Sequence, residues 1–151
     1  MGRKTGAVQL YGEPLESAEQ EQLFAWAERQ AGAYPELLRM YHVPNGGKRN
    51  KIEAARLKRQ GVKAGVPDIF LPAPRYGYHG LYIELKRQHE GIVSEDQADW
   101  LEYLAHEGYV AAVCHGWYEA AQLIMRYLRG GMRRERICDG TDAREHGLSD
   151  S

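Results

Sequence analysis

The chain has 151 residues, a formal net charge of −1 at pH 7, and hydrophobic residues at 43% of its positions. These values are typical of one soluble globular domain that is long enough to bury a core. No apolar stretch reaches the roughly 18 residues of a membrane span, and the first residues lack the apolar segment of a signal peptide. We therefore expect a cytoplasmic protein with no membrane partner. Its two cysteines, Cys114 and Cys138, lack metal-ligand spacing and are expected to be reduced.

Hydrophobic periodicity and turn residues predict a flexible polar arm at residues 1–14, one domain at residues 15–129, and a polar, disordered tail at residues 130–151. Ser17 and Asn50 are expected to cap the first two helices, and Ser94 with Gln97 forms a capping box before the third. The last predicted strand is a continuous apolar run, typical of a central strand covered on both faces. In chain order the predicted elements are helix 16–31, strand 37–43, basic helix 50–60, strands 66–71 and 80–86, helix 94–108, strand 109–114 and helix 117–128.

This order predicts an α/β fold with a mixed four-stranded sheet flanked by helices, and a parallel crossover between the last two strands. Two of the predicted strands carry charge where a core strand should have none. Asp68 lies at the start of one, and Glu84 and Lys86 lie two residues apart in the next, so they share a face. If these strands pair, two carboxylates and an ammonium meet in one small volume.

Such a cluster has the chemistry of a cation site. The two carboxylates and the Leu85 carbonyl are hard oxygen ligands that suit Mg²⁺ or Mn²⁺ better than zinc. Lys86 could position an attacking water and stabilise a developing negative charge. Two plain structural interpretations remain open: Asp68 could simply begin a strand after a turn, and Glu84 with Lys86 could form an exposed ion pair.

Charge is unevenly distributed along the chain. The segment from residue 48 to residue 63 contains only one acid, Glu53, among seven basic residues. Such a segment is either a solvated face or a surface that contacts nucleic-acid phosphates. Its candidate nucleic-acid-binding residues are Lys48, Arg49, Lys51, Arg56, Lys58, Arg59 and Lys63.

The charged cluster and its surroundings resemble a known nuclease family. Pro67-Asp68, a spacer and Glu84-Leu85-Lys86 have the form of the PD-(D/E)xK nuclease motif. The surrounding segments are similar to those of a VRR-NUC domain. They are HVPNGG (42–47), GVKAGVPD (61–68) and LYIELK (81–86), followed by Ser94-x-x-Gln97 and Trp100-Leu101. The resemblance extends over about residues 16–128 and implies a restriction-endonuclease-like core.

The resemblance also implies roles for single residues. Asp68, Glu84 and the Leu85 carbonyl would hold the metal, and Lys86 would act in catalysis. Glu21 matches an acidic residue of the first helix that completes the metal shell, although the helix dipole alone favours glutamate there. Gln97 matches a polar residue that supports the site, and its place in the capping box is a competing role.

The expected function is a Mg²⁺- or Mn²⁺-dependent, structure-specific DNA endonuclease. Stand-alone members of the family are found in bacteria and phages and resemble homodimeric enzymes that cut Holliday junctions and other branched DNA in repair and recombination. Alternatives are a binding protein that has lost turnover, and an RNA-directed nuclease. Three tyrosines have two interpretations: they could stack on unpaired bases, or cover the sheet or a subunit interface. These are Tyr76, Tyr78 and Tyr82.

Overall fold

The computed structural model describes residues 15–44 and 50–132. The predicted arm and most of the predicted tail lie outside these ranges. The predicted order of helices and strands is confirmed, with a short 3₁₀ helix added before the first strand. In chain order the elements are α1 (Glu16–Gln30), the 3₁₀ helix (Pro35–Arg39), β1 (Tyr41–His42), α2 (Lys51–Arg59), β2 (Ile69–Leu71), β3 (Leu81–Lys86), α3 (Glu95–His106), β4 (Val110–His115) and α4 (Trp117–Leu128).

The four strands form one mixed sheet in the order β1-β2-β3-β4. The pairs β1–β2 and β2–β3 are antiparallel, while β3 and β4 are parallel and joined through α3. The predicted mixed sheet and parallel crossover are thus confirmed. Helices α1 and α4 pack together and against β3, and α3 packs on β4.

The core lies between the sheet and the α1–α4 pair. Along β3 the residues Leu81, Ile83 and Leu85 are fully buried among core side chains of β2, α1 and α4. Each such side chain contributes roughly 1.5–3 kcal/mol by leaving water. Because side chains alternate along a strand, Glu84 and Lys86 project from the opposite face of the same strand.

Two predicted features of the first third of the chain are wrong. Helix α1 begins at Glu16 after Leu15, so Ser17 lies inside the first turn and caps nothing. The segment predicted as strand 37–43 forms a 3₁₀ helix followed by only two strand residues. Pro35 opens this helix, and Leu37 and Met40, three residues apart, are both buried. Their three-residue spacing suits a helical turn, but the apolar composition of the segment led to the prediction of a strand.

The predicted caps of the other two helices are confirmed. The Asn50 side chain accepts a hydrogen bond from the Glu53 amide at 2.7 Å, and α2 ends just before Gly61, whose φ of 95° suits glycine. Ser94 and Gln97 form the expected capping box of α3.

Strand β4 is covered on both faces, by α3 and α4, as its apolar composition predicts. Its predicted central position is wrong, because β4 pairs only with β3 and lies at the sheet edge in the described part of the chain. Cys114 on this strand is a free, buried thiol. No helix within the described ranges is long and apolar enough to cross a membrane.

Candidate active site

Asp68 and Glu84 come together where β2 and β3 pair. The register pairs Ile69 with Ile83, so one step further along both strands Asp68 stands opposite Glu84. Asp68 Oδ2 accepts a hydrogen bond of 2.9 Å from the Leu85 amide. In a strand the amide and carbonyl of one residue point to the same neighbour, so the Leu85 carbonyl also points to the Asp68 side of β3.

Glu84 is a buried carboxylate of which only one oxygen is bonded. The residue is 1% exposed. Its Oε1 accepts hydrogen bonds from Gln97 Nε2 at 2.5 Å and from Lys86 Nζ at 3.0 Å. Its Oε2 is buried and receives no hydrogen bond from a donor group within residues 15–44 and 50–132, and the Asp68 carboxylate lies next to Glu84. A buried carboxylate oxygen without a partner is costly, so this atom requires an explanation.

The position of Glu84 makes its ionisation unfavourable. Burial away from water is the largest cause, and the nearby Asp68 carboxylate is the second; together they raise the pKa of Glu84 to about 7, although Lys86 acts in the opposite direction. A positive charge beside Oε2 would reverse this effect and favour the ionised form at neutral pH.

Lys86 is held in place by its surroundings. Only 7% of the residue is exposed, and Nζ lies 3.0 Å from Glu84 Oε1. The chain folds back over its stem at Gly91, where a side chain would come within 2.7 Å of Lys86 Cβ. The two strand residues of the motif therefore form a buried pair, and the alternative of an exposed ion pair is excluded.

Gln97 makes both of the contacts that its sequence position suggested. Its side-chain oxygen accepts from the Ser94 amide at 2.9 Å, which closes the capping box, and its Nε2 donates to Glu84 Oε1. Because the oxygen is committed to an N–H group, the NH₂ end must face the carboxylate. The start of α3 is thus fastened to β3 through one amide.

The loop before Asp68 is also fastened to α3. Gly65 has a φ of 83°, and a Cβ there would lie 2.5 Å from the Asp96 backbone. The Trp100 indole donates to the Ala64 carbonyl at 3.0 Å. Only glycine allows this close approach, which brings the end of the basic segment against α3, the helix that also contacts Glu84.

The basic helix α2 has no buried residue, as predicted, and its cations lie in solvent. Ile52 on the same helix is 83% exposed. Lys48 and Arg49 lie outside the described residues. The described members of the predicted binding surface, all exposed, are Lys51, Arg56, Lys58, Arg59 and Lys63.

Glu21 is not brought to the cluster. It is exposed on α1, about 200° around the helix from Glu19. Glu19 is the buried acid of this helix, 1% exposed, and both its oxygens are bonded: Oε1 accepts from Gln88 Nε2 at 2.9 Å, and Oε2 accepts from the Trp117 amide at 2.7 Å. The carboxylate thereby caps α4, which has no cap of its own.

A signal for Glu19 was present in the sequence. Glu19, Leu23 and Ala27 are spaced by four residues and form the buried stripe of α1, so an acid within an apolar stripe marked the position. Glu19 is not a third member of the Asp68–Glu84 pair, because the described residues contain no group of three or more histidine, cysteine or acidic side chains arranged to hold a metal.

The residues present fit a divalent cation in composition. Asp68, Glu84 and the Leu85 carbonyl supply hard oxygen atoms, and the bare Oε2 of Glu84 is the atom that a cation would satisfy. In the described part of the chain the protein itself thus contributes two carboxylates, and substrate oxygens or water would complete the shell.

Two carboxylates and a buried lysine lie on adjoining strands of a mixed α/β sheet, and comparison with known proteins assigns this chain to a nuclease-type domain. The family model of the VRR-NUC domain matches residues 15–117, more than half of the chain. A solved structure described as "VRR_NUC domain protein" is 34% identical with a TM-score of 0.69, over 78% of this chain and 91% of that chain. No curated protein matches. The chain belongs to the VRR-NUC domain family, which confirms the resemblance and the fold.

Proposed function

We propose that this domain is a Mg²⁺- or Mn²⁺-dependent DNA endonuclease that hydrolyses phosphodiester bonds at Asp68, Glu84 and Lys86. The observation that carries the proposal is the buried, unpartnered Oε2 of Glu84 beside a second carboxylate. A protein that only binds DNA gains nothing from this arrangement, because an unsatisfied buried oxygen lowers stability. Nuclease-type family membership supports the same conclusion.

Each side chain of the site has a separate role in the proposed hydrolysis. A bound cation would supply positive charge for the scissile phosphate and make water at the site more acidic. Water loses a proton as its oxygen bonds to phosphorus, the bond to the leaving sugar oxygen breaks, and that sugar oxygen gains a proton, so no net proton is consumed. Lys86, buried and directed by Glu84, is placed to orient the water and to stabilise the extra negative charge. Gln97 keeps Glu84 oriented.

The preferred substrate in this proposal is branched DNA, including Holliday junctions, cut by a homodimer. The described part of the chain contains one such acidic cluster, and symmetric cutting of two strands requires two copies. Light scattering at micromolar concentration tests the assembly: a mass of two chains is expected, and a stable monomer that cuts both strands would contradict it.

The test of activity uses the full chain with end-labelled junction, flap, duplex and single-stranded DNA, and a matched RNA, in Mg²⁺ or Mn²⁺. We expect nicking of branched DNA by the wild type. Glu84→Gln and Lys86→Ala should each lower the rate at least about a thousandfold, since the first removes a carboxylate that would hold the cation and the second removes a positive charge beside the reacting phosphate. The matched control is Glu102→Gln, an exposed glutamate of α3.

The outcomes separate the alternatives. Binding of branched DNA without nicking in either metal would overturn the nuclease proposal in favour of a binding protein. Faster cutting of RNA than of DNA would change the substrate. Equal loss of activity in Glu102→Gln would mean that the site residues were misassigned.

The basic segment is proposed to contact DNA phosphates through α2. Replacing Arg56 and Lys58 together with alanine should weaken DNA binding about tenfold at moderate salt and lower the slope of log K against log salt by about two. Replacing Arg29 and Arg39, both exposed, removes the same charge elsewhere and should leave the slope unchanged. An unchanged slope in the first pair would exclude α2 from the interface.

A further inference from the structure

A row of aromatic side chains crosses the sheet. Tyr41, Phe70 and Tyr82 are direct cross-strand partners on β1, β2 and β3. The rings of Phe70 and Tyr82 are stacked with centroids 4.2 Å apart, and Tyr41 meets Phe70 edge-on at 5.7 Å. Tyr109, just before β4, meets Tyr82 edge-on at 5.3 Å. These four side chains are called the aromatic row.

The aromatic row adjoins the two carboxylates. Because side chains alternate along a strand, Phe70 faces the same way as Asp68, and Tyr82 the same way as Glu84. Each aromatic residue is two positions from its carboxylate, which is roughly 7 Å along the strand. The row and the acidic cluster therefore form neighbouring parts of one sheet face.

The row is accessible in the described part of the chain. Tyr41 is 50% exposed, and Phe70 and Tyr82 are partly exposed. Helix α3, which lies on this face, packs on β4 rather than on β1 or β2. The Phe70 ring packs against Gly80, where a Cβ would come within 2.8 Å of it, so the position of this ring in the row is fixed.

Two other tyrosines that the sequence indicated as candidates for base stacking, Tyr76 and Tyr78, do not belong to this surface. The Tyr76 ring fills the space where Gly130 has no side chain, and Tyr78 packs against Tyr127 in the core. Of the three tyrosines that the sequence indicated as candidates for base stacking, Tyr82 is the one that lies on the active-site face. Tyr41, in a segment that looked like a simple core strand, is its most exposed partner.

We propose that the aromatic row stacks against unpaired bases of the DNA strand whose phosphodiester lies at Asp68 and Glu84. The proposal rests on the nuclease function proposed above and narrows its substrate to DNA with unpaired nucleotides beside the cut. A strand held at the carboxylates must leave over one of the adjoining surfaces, and the aromatic row is such a surface. Every base has a flat face, so this contact tolerates any sequence.

The position of the basic segment favours DNA over a second protein copy as the occupant of this face. The end of the basic segment is fastened to α3 on this side of the sheet, through Ala64 and Gly65. Cations that contact the backbone and rings that contact bases are the two components of surfaces that bind single-stranded DNA.

The experiment measures binding of the full chain to a flap DNA with a thymidine arm and to the same flap with an abasic arm, in Ca²⁺ to prevent turnover. We expect the wild type to bind the thymidine flap about tenfold more tightly. Tyr41→Leu should lose this preference while Tyr41→Phe keeps it. The control Tyr118→Leu, at an exposed tyrosine of α4, should behave as the wild type.

The result that overturns the proposal is equal affinity of the wild type for the two flaps, or an unchanged preference in both Tyr41→Leu and Phe70→Leu with normal melting curves. If Tyr41→Leu or Phe70→Leu changes the mass measured by light scattering but keeps the base preference, the row belongs to a protein interface. That result would also overturn the stacking proposal. Cleavage distinguishes the two proposals. Base-dependent binding without nicking would contradict only the nuclease function, and nicking without base-dependent binding would contradict only the base-stacking proposal.

Discussion

Two glutamates of this protein are equally buried and differently bonded. Glu19 and Glu84 are each 1% exposed. Both oxygens of Glu19 accept hydrogen bonds, from Gln88 and from the Trp117 amide, while Glu84 leaves Oε2 without a partner in the described residues. A buried carboxylate that is fully bonded holds the fold together, whereas one that keeps a bare oxygen is available to a ligand.

The largest expected effect on stability is at Glu19. Glu19→Gln places an NH₂ group against one of two donors, so a buried hydrogen bond becomes a donor–donor contact. We expect the free energy of unfolding to fall by roughly 2–3 kcal/mol, measured in urea. Glu16→Gln, at an exposed residue of the same helix, should change it by less than about 0.5 kcal/mol. Equal stabilities of the two variants would remove the structural role from Glu19.

Glu84 should give the cation-free protein a dependence on pH. Its folded pKa of about 7 is above the ordinary 4.5, so folding favours the protonated form. The stability linked to that proton is present below pH 4.5 and is lost as pH rises through about 7, by at most about 3 kcal/mol.

The measurement is urea unfolding of protein treated with chelator, from pH 5 to pH 8. Glu84→Gln should flatten this part of the curve, because an amide does not titrate in this range. Glu102→Gln should follow the wild type. A wild-type stability that rises between pH 5 and pH 8 would contradict the assignment of a raised pKa to Glu84.

A smaller effect separates the two roles of Gln97. Ser94→Ala removes a cap of α3 and should cost about 1 kcal/mol of stability with little change in cleavage. Gln97→Ala removes the contact with Glu84 as well, so we expect a similar loss of stability together with slower cleavage. If both variants cleave at the wild-type rate, Gln97 is only a capping residue.

The sequence predicted the Asp68–Glu84–Lys86 cluster because each position contradicts the apolar pattern of its own strand. It also predicted the capping box of α3, a local feature within four residues. The strand predicted at 37–43 failed because Leu37 and Met40 suit a helical turn as well as a strand, and only tertiary packing distinguishes the two.

The position of an acid within helix α1 does not by itself reveal its role, as Glu19 shows. Four acids lie on α1, and the resemblance pointed to Glu21, although the spacing of Glu19 with Leu23 and Ala27 places Glu19 in the apolar stripe. The buried one is identified by what it meets, the Trp117 amide 98 residues further along the chain. The apolar stripe indicates that Glu19 is buried, but its partner is set by the packing of α1 on α4, which a local pattern does not show.

The most direct test of the central claim is a calorimetric titration of the chelator-treated protein with Mn²⁺ at pH 7.5. We expect saturable binding with proton release, since a cation beside Oε2 drives Glu84 to ionise. Glu84→Gln should abolish this binding, while Glu102→Gln should retain it. Binding that is unchanged in Glu84→Gln, or no binding by the wild type, would contradict the assignment of Asp68 and Glu84 as a cation site.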